Sequence, residues 1–246
     1  MFHASTDFYY IYEGSIWKFE GVTDISNLFK ECNKLEKIQS FLSKLDISKV
    51  IDKREVFADC IALKEIPDIS NWDTSNVIDF TGFFGGLLLI TELPYITKWN
   101  LSNCKNISYF FENCKKIEFI PDISNWDTSN TENMDFMFYK CETLDVLPDI
   151  SKWNTSKVTN MKGMFQNCTE LKTVPNISKW NLSNNNDASF LFSGCVKLIV
   201  LPNVYKWDYK RINNHQEILT NYRNVKLFPS IDTIPVYLLD NIFFIS

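Results

Sequence analysis

Pro121-Asp-Ile-Ser-Asn-Trp-Asp-Thr-Ser-Asn130 is the stretch on which the architecture turns, because its residues recur along the chain at a fixed step. Trp72, Trp99, Trp126, Trp153, Trp180 and Trp207 stand 27 residues apart. Pro67, Pro94, Pro121, Pro148, Pro175, Pro202 and Pro229 keep the same step. So do Cys60, Cys114, Cys141, Cys168 and Cys195, with Leu87 in the vacant place. Three residue types on one lattice define a repeat of stacked units. Toward the amino terminus Leu45 takes the tryptophan place, and Trp17 and Cys32 belong to a unit offset by one residue inserted between Cys32 and Leu45. Toward the carboxyl terminus Tyr222 and Ile234 replace cysteine and tryptophan. Degenerate ends are expected, since a terminal turn has a neighbour on one side only.

One unit, Thr155 to Asn181, reads as follows. Thr155 and Ser156 are N-cap types, and Val158, Met161, Met164 and Phe165 follow at helical spacing, which predicts a short helical segment. After Cys168, Leu171, Val174, Pro175 and Ile177 read as a short strand and a turn, with Pro175 ending the ladder because it has no N–H. Trp180 then folds inward. No single unit buries this many large side chains alone, but a stack does. The expected fold is an α/β repeat solenoid, a right-handed stack of about eight 27-residue turns, each with a short strand and a short helical segment. At about 4.8 Å per turn the stack is on the order of 40 Å long. The division is an N-terminal cap over 1–16, the solenoid over 17–234 and an apolar C-terminal cap over 235–246.

Composition excludes several classes. With 45% apolar and 22% charged residues the chain is neither disordered nor fibrous. A net charge of −5, with no arginine-rich stripe, opposes a general nucleic-acid binder. Asp7, Glu13 and Lys18 break the leader pattern of a signal peptide, and no run of about 18 apolar residues predicts a membrane span. The expected location is intracellular as the chain stands, and the cell surface if an export signal has been removed.

The quoted string, with Asn133-Met134, Met137-Phe138 and Cys141 behind it, and Leu171-Lys-Thr-Val-Pro-Asn-Ile-Ser-Lys-Trp180 resemble the BspA-like leucine-rich-repeat family, in the form found in mycoplasma surface lipoproteins of unknown function. The resemblance spans residues 17 to 234. It implies a leucine-rich-repeat fold and adhesion or protein binding at a cell surface. It brings no catalytic residues and no cofactor.

The residues themselves argue the same way about chemistry. The cysteines lack the paired spacing of a zinc site, and a regular place that also takes Leu87 asks for a small buried group. Cys104 lies off the lattice and is expected to be exposed, a candidate for reactivity. His3 and His215 are the two histidines, neither placed as the base of a triad. Gly85-Gly86 lacks the surroundings of a phosphate loop. Segments such as Asn71-Trp-Asp-Thr-Ser-Asn76 could serve calcium, but capping of backbone donors explains them better. Sequons begin at Asn100, Asn106, Asn154, Asn167, Asn176 and Asn181, and composition accounts for them.

The reading is therefore a non-enzymatic module that binds a protein, without metal or cofactor. Variable pairs follow each cysteine place, and Phe119, Val146, Ile199, Val200 and Leu227 are the candidate apolar contact residues. Against this stands the reading that alternate members of the pairs point inward and belong to the core. Leu238, Leu239, Ile242, Phe243, Phe244 and Ile245 end the chain in apolar residues. They predict a fold-back cap, or an end-to-end homo-oligomer, or a structural role in which a larger assembly holds that end.

Overall fold

The computed structural model describes residues 9–11, 19–38, 40–200, 207, 212–218 and 220. Trp17, Leu227 and the terminal run from Leu238 lie outside them, as does most of both expected caps. Over the described residues, successive 27-residue segments run side by side in parallel. Asp52, Asp79, Asn106, Asn133, Asn160, Asp187 and Asn214 are bridged each to the next, one continuous column. The earlier bridges Asp24 to Asp52 and Lys37 to Glu65 span 28 residues, so both cross the insertion. Trp72 donates its indole N–H to the carbonyl of Leu42, 30 residues back, the same offset that later tryptophans keep. The extra residue therefore lies between Lys37 and Leu42, where a 3-10 helix, Ser40–Lys44, begins.

The expected helical segments are not formed, and the described residues hold no α-helix. Among the described residues, regular strand is confined to β1 (Tyr10–Ile11) and β2 (Lys37–Ile38), paired in parallel. In place of a helix each coil makes a chain of tight turns. Gln166 and Cys168 donate their N–H groups back to the carbonyls of Gly163 and Phe165. Met161, Gly163, Phe165 and Asn167 donate forward instead, to Asp187, Ser189, Leu191 and Ser193 of the following coil. A helix would keep all of these donors within the segment. Here alternate donors are spent between coils, so this part of each coil is fastened to its neighbour by backbone.

Two turns in this segment, 161–164 and 165–168, hold a left-handed residue at their third position, Gly163 and Asn167. The structure supplies two columns of such residues. One holds Asn27, Glu55, Gly82, Tyr109, Phe136, Gly163, Phe190 and Glu217, and the other holds Glu31, Asp59, Gly86, Asn113, Lys140, Asn167 and Gly194. For a residue with a Cβ this conformation costs on the order of 1 kcal/mol, which the bonds between coils offset. Glycine at four of these places carries no such penalty. At Gly86 a Cβ would run into the carboxylate of Asp59 in the coil before.

Inside the stack the side chains form columns. Phe29, Phe57, Phe84, Phe111, Phe138, Phe165 and Phe192 are fully buried, and each ring stacks on the next, from 6.0 Å between centroids at Phe57 and Phe84 to 5.1 Å at Phe165 and Phe192. Trp72, Trp99, Trp126, Trp153, Trp180 and Trp207 fold inward as expected and are buried. Each hands its indole N–H to the coil before, Trp126 to Ile96, Trp153 to Ile123 and Trp180 to Ile150, all at 3.2 Å. Burying one such side chain contributes roughly 1.5–3 kcal/mol. The polar handle costs nothing because a partner waits for it. The cysteine column is buried and its thiols are free, Cys114 and Cys141 donating to the carbonyls of Phe84 and Phe111 at 3.1 Å.

Candidate functional site

Because successive side chains of an extended segment point to opposite faces, the variable pairs are expected to be half outside and half inside. The structure puts both members outside. Ile117 and Ile120 are buried on either side of Glu118 and Phe119, and Leu144 and Leu147 on either side of Asp145 and Val146. The backbone turns at the pair rather than alternating through it. Phe119 is 56% exposed, Val146 53%, and Ile199 and Val200 38% each. The core reading of these pairs is thus corrected.

The stripe is ordered by its own backbone. Phe119 bridges Val146 and Val146 bridges Thr173 in parallel, while Asp145 donates its N–H to Glu118 at 3.0 Å and Lys172 to Asp145 at 3.2 Å. At the amino end the pairs are charged and mutually neutralised: Lys64 meets Glu36 at 2.6 Å, and Lys37 meets Glu65. Among the described residues no bridge joins Glu92 to either neighbour. Beside that interruption stands Tyr95, 80% exposed. Sequence reasoning passed over it. The signal was there, since Tyr95 replaces the acid or amide found at Asp68, Asp122, Asp149 and Asn176.

The polar segments are explained by turns within and bonds between coils rather than by helix caps. Asp73, Asn100, Asp127, Asn154 and Asn181 each accept the N–H of the residue two places on, at 2.9 to 3.0 Å. Asp68, Asp122, Asp149 and Asn176 do the same in a second column, and the bridged column does so in a third, as at Asn106 and Asp187. Hydrogen bonds from the following serines hold the Asp122 and Asp149 carboxyls below the usual carboxylate range. Five of the six sequons are this same turn, in which asparagine and aspartate are interchangeable. Thr155 is buried and donates its hydroxyl to Asn181 of the next coil at 3.0 Å.

Reactive groups are sequestered. Cys104, expected to be exposed, is fully buried. It belongs to a different column, with Val77 one coil before it and Thr131 one coil after, and Thr131 donates its hydroxyl to the carbonyl of Cys104. Burial pushes the thiols of Cys104, Cys114 and Cys195 up to about 12. His215 is half-buried with Nδ1 3.2 Å from the carbonyl of Ile212. Among the described residues no three acids, cysteines or histidines gather as a metal site, and no helix is long and apolar enough to cross a membrane.

Parallel-bridged 27-residue coils with a patterned outer stripe define a repeat protein. The family described as Mycoplasma protein of unknown function, DUF285, matches residues 1–118, 89–199 and 118–230, and the chain belongs to it. No curated protein matches. Among solved structures, a leucine-rich repeat protein from Bacteroides ovatus is 17% identical, with a TM-score of 0.22 over 72% of this chain. The match spans 63% of that protein's length.

Proposed function

We propose that the chain is a non-enzymatic protein-binding module, a right-handed solenoid of the leucine-rich-repeat type resembling BspA-like proteins, used in adhesion. The right-handed sense is the one parallel crossovers take. The observation that carries the binding role is the half-exposure of Phe119 and Val146 on neighbouring, bridged coils. Exposed aromatic side chains such as Phe119 and Tyr95 are the usual anchors of a protein interface, and Val146 extends the apolar area next to Phe119 on the bridged ladder. The burial of every described thiol keeps cysteine from serving as a nucleophile, which supports the non-enzymatic reading. The alternative, an assembly component held by Leu238 to Ile245, rests on residues outside those described.

The test is affinity capture from the native source with the wild-type chain and with a Phe119→Ala, Val146→Ala double variant. A protein retained by the first and lost by the second, with unchanged thermal unfolding, is the expected result. Identical capture by both would move the binding surface elsewhere.

A further inference from the structure

We propose that the patch around Phe119 and Val146 receives an extended segment of a partner protein that carries basic residues beside apolar ones. This rests on the protein-binding reading and specifies its partner.

The apolar residues do not stand alone. Glu92 and Glu118 adjoin Phe119 on the stripe, and both are exposed. Beyond the ladder, Asp122 and Asp149 follow Phe119 and Val146 at the same interval in their coils, and both are exposed. Asp122 also feels the charge of Asp149, its lattice equivalent one coil on, which places the two on one edge. Asp145 engages Lys172 through Oδ2 at 2.8 Å, which removes that lysine as a neutraliser of the others. Among the described residues no ion pair engages Glu92, Glu118, Asp122 or Asp149. Exposed cations of these coils include Lys98, Lys116 and Lys152, and Lys152 acts on Asp149 through its charge without forming an ion pair with it. An apolar centre is thus edged by carboxylates on both sides.

A partner that covers Phe119 and Val146 brings its own charges against that edge. Acidic groups there would face like charge at close range, whereas lysine or arginine would pair and steer the encounter. The ladder adds geometry. Phe119, Val146 and Thr173 repeat at the spacing of parallel strands, about 4.8 Å, so an extended chain crossing the coils meets one stripe position every one to two residues. A membrane surface fits poorly, because anionic headgroups meet the same carboxylates.

The experiment uses the full chain and short synthetic peptides alternating valine with lysine, valine with glutamate, and serine with lysine. Titration by fluorescence anisotropy is expected to show the valine–lysine peptide binding roughly tenfold tighter, about 1.4 kcal/mol, than either of the others. That advantage should vanish in a Phe119→Ser, Val146→Ser variant. It should shrink in a Glu118→Gln, Asp122→Asn variant, whose new amide can still accept the turn hydrogen bond, as the amide of Asn176 does. Equal binding of the lysine and glutamate peptides would overturn the basic partner while leaving a binding surface in place. Equal binding of the lysine peptides with and without valine would reduce the effect to bulk charge and overturn it as well. Binding of no peptide, or of phosphatidylserine vesicles in preference, would also overturn it, and the capture experiment above would then decide separately whether the stripe binds protein at all.

Discussion

The ring of Phe138 lies 5.4 Å from that of Phe165, with the two planes 6° from parallel. The pair is one step of the column that runs from Phe29 to Phe192 through seven successive coils. Each ring is wholly enclosed by its neighbours above and below, so the column has no side that can relax toward solvent. Truncating it in the middle leaves a void lined by rings that the turns, tied backbone to backbone, cannot close. Phe138→Ala should therefore cost about 3–5 kcal/mol in urea unfolding. A loss under about 1 kcal/mol would mean the column is not the spine of the stack.

Cysteine chemistry should report the same rigidity. Cys104 and the lattice thiols are buried, and those of Cys104, Cys114 and Cys195 are raised to about 12, so thiolate is scarce near pH 8. The expected outcome is that Ellman's reagent labels none of the seven described thiols in the folded chain and all of them in guanidinium chloride. Rapid modification of Cys104 under native conditions would contradict its burial.

Periodicity made the stacking legible. The tryptophan, proline and cysteine lattices mark which residues share a column, and the bridges follow that register. The helical segment was not legible because apolar residues at intervals of three and four, as at Met161, Met164, Phe165 and Cys168, suit consecutive tight turns as well as a helix. What separates the two is backbone sign. Gly82, Gly86, Gly163 and Gly194, four of the chain's seven glycines, stand in the two left-handed columns, and their spacing was the available clue. Tyrosine, phenylalanine, glutamate and lysine fill other places of those columns and give no such hint. The stripe was legible as variable positions. Its outward direction was not, because a turn at the pair breaks the alternation from which direction is read.

Asn185 occupies the column of Val158 and Ile212, fully buried, and neither atom of its side-chain amide has a hydrogen-bond partner. A buried amide without partners costs about 1–3 kcal/mol relative to an apolar group of similar size. Asn185→Val, which restores the residue type used one coil earlier, should raise stability by that amount, read as a higher urea midpoint with unchanged slope. A variant no more stable than the parent would show that the amide is satisfied in solution.

Lys53 is the remaining anomaly, and it makes the stack sensitive to pH. It sits one coil before Phe80 in a column continued by Ile107, Met134 and Met161, completely enclosed, with its Nζ 3.1 Å from the carbonyl of Val50 and 6.0 Å from the centre of the Phe80 ring. Desolvation pulls the amine down from 10.5 to about 7, only partly opposed by the charge of Asp73. The folded state therefore releases this proton more readily than the unfolded chain does. Between pH 7 and 10.5 the unfolded state binds one proton more, so stability rises with pH across that window, by about 1.4 kcal/mol per unit. Below pH 7 both states are protonated and the contribution is flat, with the penalty for burying the ammonium fully present. Lys53→Met removes the titrating group and inserts the side chain found at Met134 and Met161. The difference in unfolding free energy between parent and variant should favour the variant by on the order of 4 kcal/mol at pH 7 and close steadily toward pH 10. Between pH 7 and 10 Asp73, the group coupled to Lys53, stays ionised and the remaining groups cancel on subtraction, so parallel curves for the two proteins would refute the buried amine, and a gap that widened with pH would reverse its sign.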